Sequence, residues 1–317
     1  RAVSNFHFFA TAIEHFASES HQMEGVGLNY TTRKPIGVVG CISPWNLPLY
    51  LFSWKIAPAL AAGNCVVAKP SEVTPYTAYM LGKIAKEAGM PDGVLNILHG
   101  TGPSVGDAIV KHPKIKAISF TGGTKTGEYI AQTAGPMFKK LSLELGGKNP
   151  NIIFADADLG AAIDNALTAV FLHSGQVCSA GARLLVEKSI HTRVVDEISR
   201  RADLIRLGGA YDDDAESGAL ISAAHRDKIE RYVADALAEG AVLRAGGCRP
   251  EGSAFATGYF YRPTVLDNCT TDMHCVQDES FGPILTIETF ESEEEAIKLG
   301  NDTIFGLAGA VWTSDSE

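Results

Sequence analysis

The chain has 317 residues, 45% of them hydrophobic and 20% charged, the balance of a globular protein long enough for two domains. Its formal net charge of −10 argues against a nucleic-acid partner, since a polyanion would be repelled, but not against a dinucleotide gripped locally. No apolar run approaches the ~20 residues of a membrane helix, and no signal peptide is visible.

Short β-rich apolar runs alternate with helical stretches along the chain. Residues 36–41 read as a strand, 54–63 as a helix ended by Gly63-Asn64, and 65–69 as a second strand. A helix from Pro75 to Gly89 leaves through Pro91-Asp92-Gly93 into a strand at 94–97. A helix at about 103–110, a strand at 115–120 and a helix opening near Thr124 follow. The rhythm restarts after Glu144: a strand at 151–154, a helix at 159–171, a strand at 183–186 and a helix at 190–201. Residues 222–240 read as helical, and the acidic cluster Glu291–Glu295 as the solvated first turn of another helix. This alternation predicts an α/β fold: a Rossmann-like parallel-sheet cofactor domain, then a second α/β catalytic domain, with the boundary near Gly146-Gly147.

The six cysteines form no CxxC pair and no dense framework, which points to a reducing, cytoplasmic compartment. Cys269, His274 and Cys275 match no common zinc spacing, so no metal is expected.

Cys178 stands in Gly175-Gln176-Val177-Cys178, and Glu144 in Leu143-Glu144-Leu145-Gly146-Gly147-Lys148. A thiol and a carboxylate beside tight-turn glycines are the parts needed to attack a carbonyl and later hydrolyse the thioester. A free cysteine is usually a small buried hydrophobe. Here Ser179-Ala180-Gly181-Ala182 are small and are expected to leave a lane open around the sulfur. Two glycine turns, 100–106 and 120–127, lie where helix N-termini meet a sheet edge and bind phosphates; either could equally be a plain βα turn. Lys69-Pro70-Ser71-Glu72 follows a strand and can hydrogen-bond an adenine ribose, or simply cap the next helix as an ion pair. Its carboxylate would repel a 2′-phosphate, which favours NAD over NADP. Ser43-Pro44-Trp45-Asn46 offers an amide to an oxyanion, or only a turn. Glu279-Ser280-Phe281-Gly282-Pro283 could contact a ribose and a flat ring, or only start a strand.

Taken in order along the chain, these motifs resemble the aldehyde dehydrogenase superfamily, over about residues 5–315. The resemblance implies NAD as cofactor, an aldehyde as substrate, Cys178 as nucleophile, and Asn46 with the Cys178 N–H as oxyanion donors. It implies Glu144 as general base and Lys55 as a lysine relaying protons from it. Ser43, Trp45, Lys69, Ser71, Glu72, Gly102, Phe120, Thr121, Gly122, Gly123 and Leu145 are implied on the cofactor, joined by Glu279 and His225 at the nicotinamide ribose and Phe281 near its ring. Domains of 1–147 and 148–317 are implied, with about 18–35 part of an arm that joins protomers into a dimer or tetramer. Family members extend beyond both ends of this chain, so the expectation is a piece lacking the end of its catalytic domain. Up to about Asp158 the wording resembles 2-aminomuconic semialdehyde dehydrogenases, and from about Ala161 betaine aldehyde dehydrogenases, which suggests a mosaic gene. A coenzyme A-acylating relative and a non-catalytic fragment keeping the fold are the alternatives.

Overall fold

The computed structural model describes residues 1–315, and its chain divides into two compact units that part between Leu145 and Gly146. The first opens with α1 (Ala2–Glu14) and a two-stranded antiparallel hairpin, β1 (Ser20–Met23) and β2 (Gly27–Tyr30). Then come β3 (Val38–Ile42), α2 (Pro48–Ala61), β4 (Cys65–Lys69), α3 (Tyr76–Glu87) and β5 (Leu95–Ile97). A π-helical turn over 102–106 leads into α4 (Asp107–Lys111), followed by β6 (Ile115–Thr121), α5 (Thr124–Ala134) and β7 (Lys140–Glu144).

The five longer-range strands form one parallel sheet in the order β5-β4-β3-β6-β7. Both faces are covered, which is why its strands read as apolar runs rather than as alternating ones. Val39, Cys41, Phe52, Ile56 and Val66 pack on one side, and Ile42, Ile109, Ile118, Phe120 and Ile130 on the other. The chain leaves β3 toward β4 on one flank and later returns to β6 on the other. The carboxyl ends of β3 and β6 therefore flank a topological switch point, where doubly wound sheets bind ligands.

Two sequence expectations need correction here. The helix expected from 54 begins at Pro48, because proline is well placed in a first helical turn, where its missing N–H is no loss. The helix expected over 103–110 is a π turn and then a short α-helix, because Pro103 and the glycines at 102 and 106 favour an opened first turn.

The second unit contains β8 (Pro150–Ile153), α6 (Leu159–Phe171), β9 (Arg183–Glu187), α7 (His191–Leu204), α8 (Ala223–Ala238) and β10 (Val242–Ala245). It continues with β11 (Thr264–Asp267), α9 (His274–Gln277), β12 (Ile284–Phe290), α10 (Glu293–Asn301) and β13 (Ala310–Trp312). Its sheet runs β10-β11-β12-β9-β8-β13, parallel throughout except for β10. Asp158 caps α6, accepting from the N–H groups of Gly160 and Ala161, and Ser222 caps α8 through His225 N–H. Glu293, Glu294 and Glu295 occupy the first turn of α10. Among the described residues, no helix is long and apolar enough to cross a membrane.

Candidate active site

In the first unit, a cleft of about 690 Å³ lies at the switch point. Its lining includes Ser43, Trp45, Lys69, Ser71, Glu72, Gly102, Phe120, Thr121, Gly122 and Gly123, so ten of the residues implied on the cofactor come together. They meet because each ends a parallel strand or opens the loop after it: β3 leads to Ser43, β4 ends at Lys69, and β6 ends at Thr121. The Lys69 ammonium, itself buried, donates to Glu72 Oε2 at 2.8 Å and to the Pro70 carbonyl at 3.1 Å. That hydrogen bond holds the Glu72 carboxyl below the usual carboxylate range. Gly102 and Gly123 leave open space where a Cβ would stand. The hydroxyls of Ser43 and Thr121 are buried and, among the described residues, meet no partner. A bound group with ribose and phosphate oxygens fits this lining, since it supplies the partners that the two hydroxyls lack.

Leu145 stands apart from this cleft lining and packs on Gly127 of α5, where a Cβ would fall 2.4 Å from its side chain. Asn46 is buried in the loop between β3 and α2. Lys55 is buried inside α2, with Nζ 3.5 Å from Ser119 Oγ. Burial lowers its ammonium to about 8, against the opposing pull of Cys41 and Glu144. Glu144 ends β7, in register with Thr121 of β6, and is exposed.

In the second unit, the segments that hold the candidate residues lie at the amino ends of the strands. Residues 146–149 lead into β8, 172–182 into β9, and 278–283 into β12, and these three strands are adjacent in the order β12-β9-β8. Cys178 therefore sits on the middle segment, flanked by the other two, and is half-buried. Its loop is held in an unusual shape. His173, Ser174 and Gly175 take φ of 57°, 55° and 69° in succession, a left-handed run that costs L-residues energy and persists only when packing imposes it.

Packing does impose it. A Cβ on Gly175 would lie 2.0 Å from the Gly282 carbonyl oxygen, and one on Gly147 would lie 2.4 Å from the Cys178 carbonyl oxygen. Gln176 Oε1 accepts from the Ile221 N–H at 2.9 Å. Of the small residues expected to leave a lane open around the sulfur, Ser179 is exposed, whereas Ala180 and Ala182 are buried and Gly181 packs on Ala169 of α6.

Glu279 Oε1 accepts from the Gly147 N–H at 3.1 Å, and burial raises the Glu279 carboxyl. The α8 helix straps the segment that follows. Lys228 Nζ donates to the carbonyls of Glu279 and Ser280, each at 3.2 Å, and His225 Nε2 meets that of Phe281 at 2.8 Å. Carbonyl oxygens only accept, so His225 carries a proton on Nε2. Phe281 has φ of 58°, a further left-handed residue fixed by this strap. Burial lowers the pKa of both His225 and Lys228.

Sequence reading gave no site role to Gly147, Asn149 and Lys228. Gly147 stands in the motif of Glu144 and Asn149 just after it, and their contacts are with residues distant in sequence. The one available signal for Lys228 was its helical spacing from His225.

Residues 1–317 match the model of the aldehyde dehydrogenase family. The betaine aldehyde dehydrogenase of Bacillus subtilis is 56% identical over 285 residues, covering 90% of this chain and 58% of that protein. The human 2-aminomuconic semialdehyde dehydrogenase is 47% identical over 319 residues, covering 99% of this chain and 66% of that protein. A crystal structure of betaine aldehyde dehydrogenase from Staphylococcus aureus in complex with NAD+ matches with a TM-score of 0.96 at 45% identity, covering 99% of this chain and 63% of that one. The chain thus spans between 58% and 66% of the length of these two curated relatives.

Proposed function

Because the chain belongs to the aldehyde dehydrogenase family, we propose that it serves the NAD-dependent oxidation of an aldehyde to a carboxylic acid. The observation that carries this reading is the setting of Cys178: a half-buried thiol on a glycine-locked loop, whereas Cys41, Cys269 and Cys275 are buried in the cores.

In this reading, the Cys178 thiolate attacks the aldehyde carbon, and the carbonyl π electrons move to oxygen. The Asn46 amide and the Cys178 N–H donate to that oxyanion; removing one such donor typically costs ~3 kcal/mol of barrier. NAD supplies the acceptor for the hydride that leaves the same carbon. Cys178 then holds a thioester. Glu144 takes a proton from water, the hydroxide attacks the thioester carbon, and the acid leaves as the thiol is restored. Lys55, brought to about 8, passes the proton on from Glu144. Lys69 and Glu72 hold the adenine ribose, and the Glu72 carboxylate favours NAD over NADP. Glu279 and His225 serve the nicotinamide ribose and Phe281 its ring.

A carboxylate base at Glu144 favours water over coenzyme A as the acyl acceptor. The β1–β2 hairpin serves as part of a protomer-joining arm in a dimer or tetramer, and a reducing, cytoplasmic setting suits a reactive thiol. The change of resemblance between about Asp158 and Ala161 fits a mosaic gene; a natural genome carrying this reading frame unbroken would end that reading.

The test is NADH formation with betaine aldehyde, 2-aminomuconic semialdehyde and simple aliphatic aldehydes. Cys178→Ala should abolish it, and substantial residual turnover would overturn the assignment. Glu144→Gln should keep a first burst of NADH and slow later cycles.

A further inference from the structure

Asn149 leads into β8 and is 3% exposed. Its carboxamide is engaged at both ends. Nδ2 donates to the carbonyl oxygen of Cys178 at 2.8 Å and to that of Ala180 at 2.9 Å. Oδ1 accepts from the Ala308 N–H at 2.9 Å, in the segment that leads into β13. A primary amide has two N–H donors, and here both are spent on one loop, on carbonyls two residues apart. Gly147, two residues before Asn149, presses on the same Cys178 carbonyl from close range. The segment that feeds β8 is therefore a seat for the Cys178 loop, and Asn149 is its polar anchor.

We propose that Asn149 is a positioning residue for Cys178, its two amide hydrogens fixing the peptide planes that follow Cys178 and Ala180 and with them the direction of the thiol. The inference rests on the reading of Cys178 as nucleophile. The physical route is short. A carbonyl held at 2.8 Å fixes ψ of Cys178, and the backbone conformation selects the side-chain rotamers that remain open. A misplacement of about 1 Å at a reacting atom is enough to slow a reaction about a hundredfold.

The donors, rather than the volume, are the point, and this separates two kinds of variant. Asn149→Asp keeps the shape but sets a carboxylate against two carbonyl oxygens. Asn149→Ala removes shape and donors together. Asn149→Ser keeps one hydroxyl donor. A residue that merely fills space would tolerate Asp and suffer with Ala. A residue that acts through its donors fails with both and recovers in part with Ser.

The 317-residue chain and its variants would be compared by amide hydrogen exchange, by iodoacetamide alkylation of Cys178 and by aldehyde-dependent NADH formation. In Asn149→Asp, exchange across residues 176–181 should quicken about tenfold while β9 stays protected, as expected for two lost hydrogen bonds. Alkylation of the half-buried sulfur should speed up several-fold. The kcat should fall at least about tenfold, with the KM for NAD within about twofold of its starting value. Wild-type exchange and alkylation in Asn149→Asp would overturn the proposal. If Cys178→Ala is inactive and Asn149→Asp turns over normally, the positioning role alone fails. If Cys178→Ala turns over like the wild type, the reading of the nucleophile fails and takes the positioning role with it. Should Asn149→Ala not fold, Asn149→Ser carries the comparison.

Discussion

The Gly175 α-carbon stands so close to Gly282 that an added methyl group would sit 2.0 Å from the Gly282 carbonyl oxygen and 2.4 Å from its carbonyl carbon. One glycine opens the loop of Cys178, and the other closes the segment of Glu279 and Phe281. Gly282 in turn leaves room for Ile229 of α8, where a Cβ would meet that side chain at 2.4 Å. The turn and the Cys178 loop are thus stacked backbone against backbone, and the Ile229 side chain of α8 fills the space behind Gly282.

Gly175→Ala should therefore cost more than an ordinary glycine replacement. It forces alanine to φ of 69° and drives a methyl into backbone atoms that cannot rotate away. A left-handed alanine alone costs about 1–2 kcal/mol, and the clash adds to it. Thermal unfolding should show a clear fall in stability, and alkylation should show Cys178 in an altered environment. A variant as stable as the parent would contradict the packing described here.

Glu72→Gln should weaken NAD by about tenfold or more, the scale of losing charge-assisted hydrogen bonds to a ribose. NADP should lose less, because the carboxylate that repels a 2′-phosphate is gone. Titration of both nucleotides by fluorescence gives the ratio, and an unchanged ratio would remove Glu72 from cofactor selection. The Lys69 hydrogen bond holds the Glu72 carboxyl below its usual range, so the group stays ionised in mildly acidic solution. Its contribution should be lost only as pH falls through that lowered value.

Lys228→Met removes the donor shared by the carbonyls of Glu279 and Ser280. Amide exchange across 279–282 should quicken, while α8 itself remains formed. The loss in stability should be about 0.5–1.5 kcal/mol, because Lys228 is exposed and water competes for its hydrogen bonds. In the parent protein, the strap should loosen as pH rises through the lowered lysine value, with Asp278 and Glu279 opposing that shift. The variant should show no such pH dependence. Equal exchange in both proteins would leave the strap to His225 alone.

Lys148 is wholly buried, and its Nζ meets no hydrogen-bond acceptor among the described residues. Burial lowers its ammonium to about 8, with Cys275, Cys269, Arg183 and Glu288 around it. The sign follows from proton counting. Between about 8 and the ordinary lysine value, the unfolded chain keeps a proton that the folded one has released, so stability rises with pH across that window. Below it both states are charged, and folding must bury the charge. Lys148→Met should then be more stable than the parent at neutral pH, by on the order of 1–3 kcal/mol, and the difference should close toward pH 10. A less stable variant at neutral pH would mean that attraction to Glu288 and Glu279 outweighs the burial.

The strand and helix rhythm was legible because both sheets are parallel, β10 excepted, and helices cover them, which leaves plain apolar runs between turn signals. The Lys69–Glu72 pair was legible for a local reason: the two residues lie three apart and the contact follows from a turn. Helix α1 and strands β7, β10, β11 and β13 escaped the pattern reading; α1 keeps Phe8 and Ile13 exposed, and β10 is an exposed edge. The small residues after Cys178 signal close approach without saying of what; at Gly181 the partner is Ala169 of α6.

The sequence by itself determined the chemical inventory: a thiol, carboxylates, an amide and glycine turns, all set by residue type and short-range spacing. It also determined the parallel α/β class, because hydrophobic periodicity is a local property. Only the tertiary structure decided how Cys178 is held, through Asn149 to two carbonyls and through Gly175 against Gly282. Those contacts join residues 29, 31 and 107 positions apart, brought together by strand order in the sheet. Glycine and a buried amide act there by geometry, which composition and spacing do not encode.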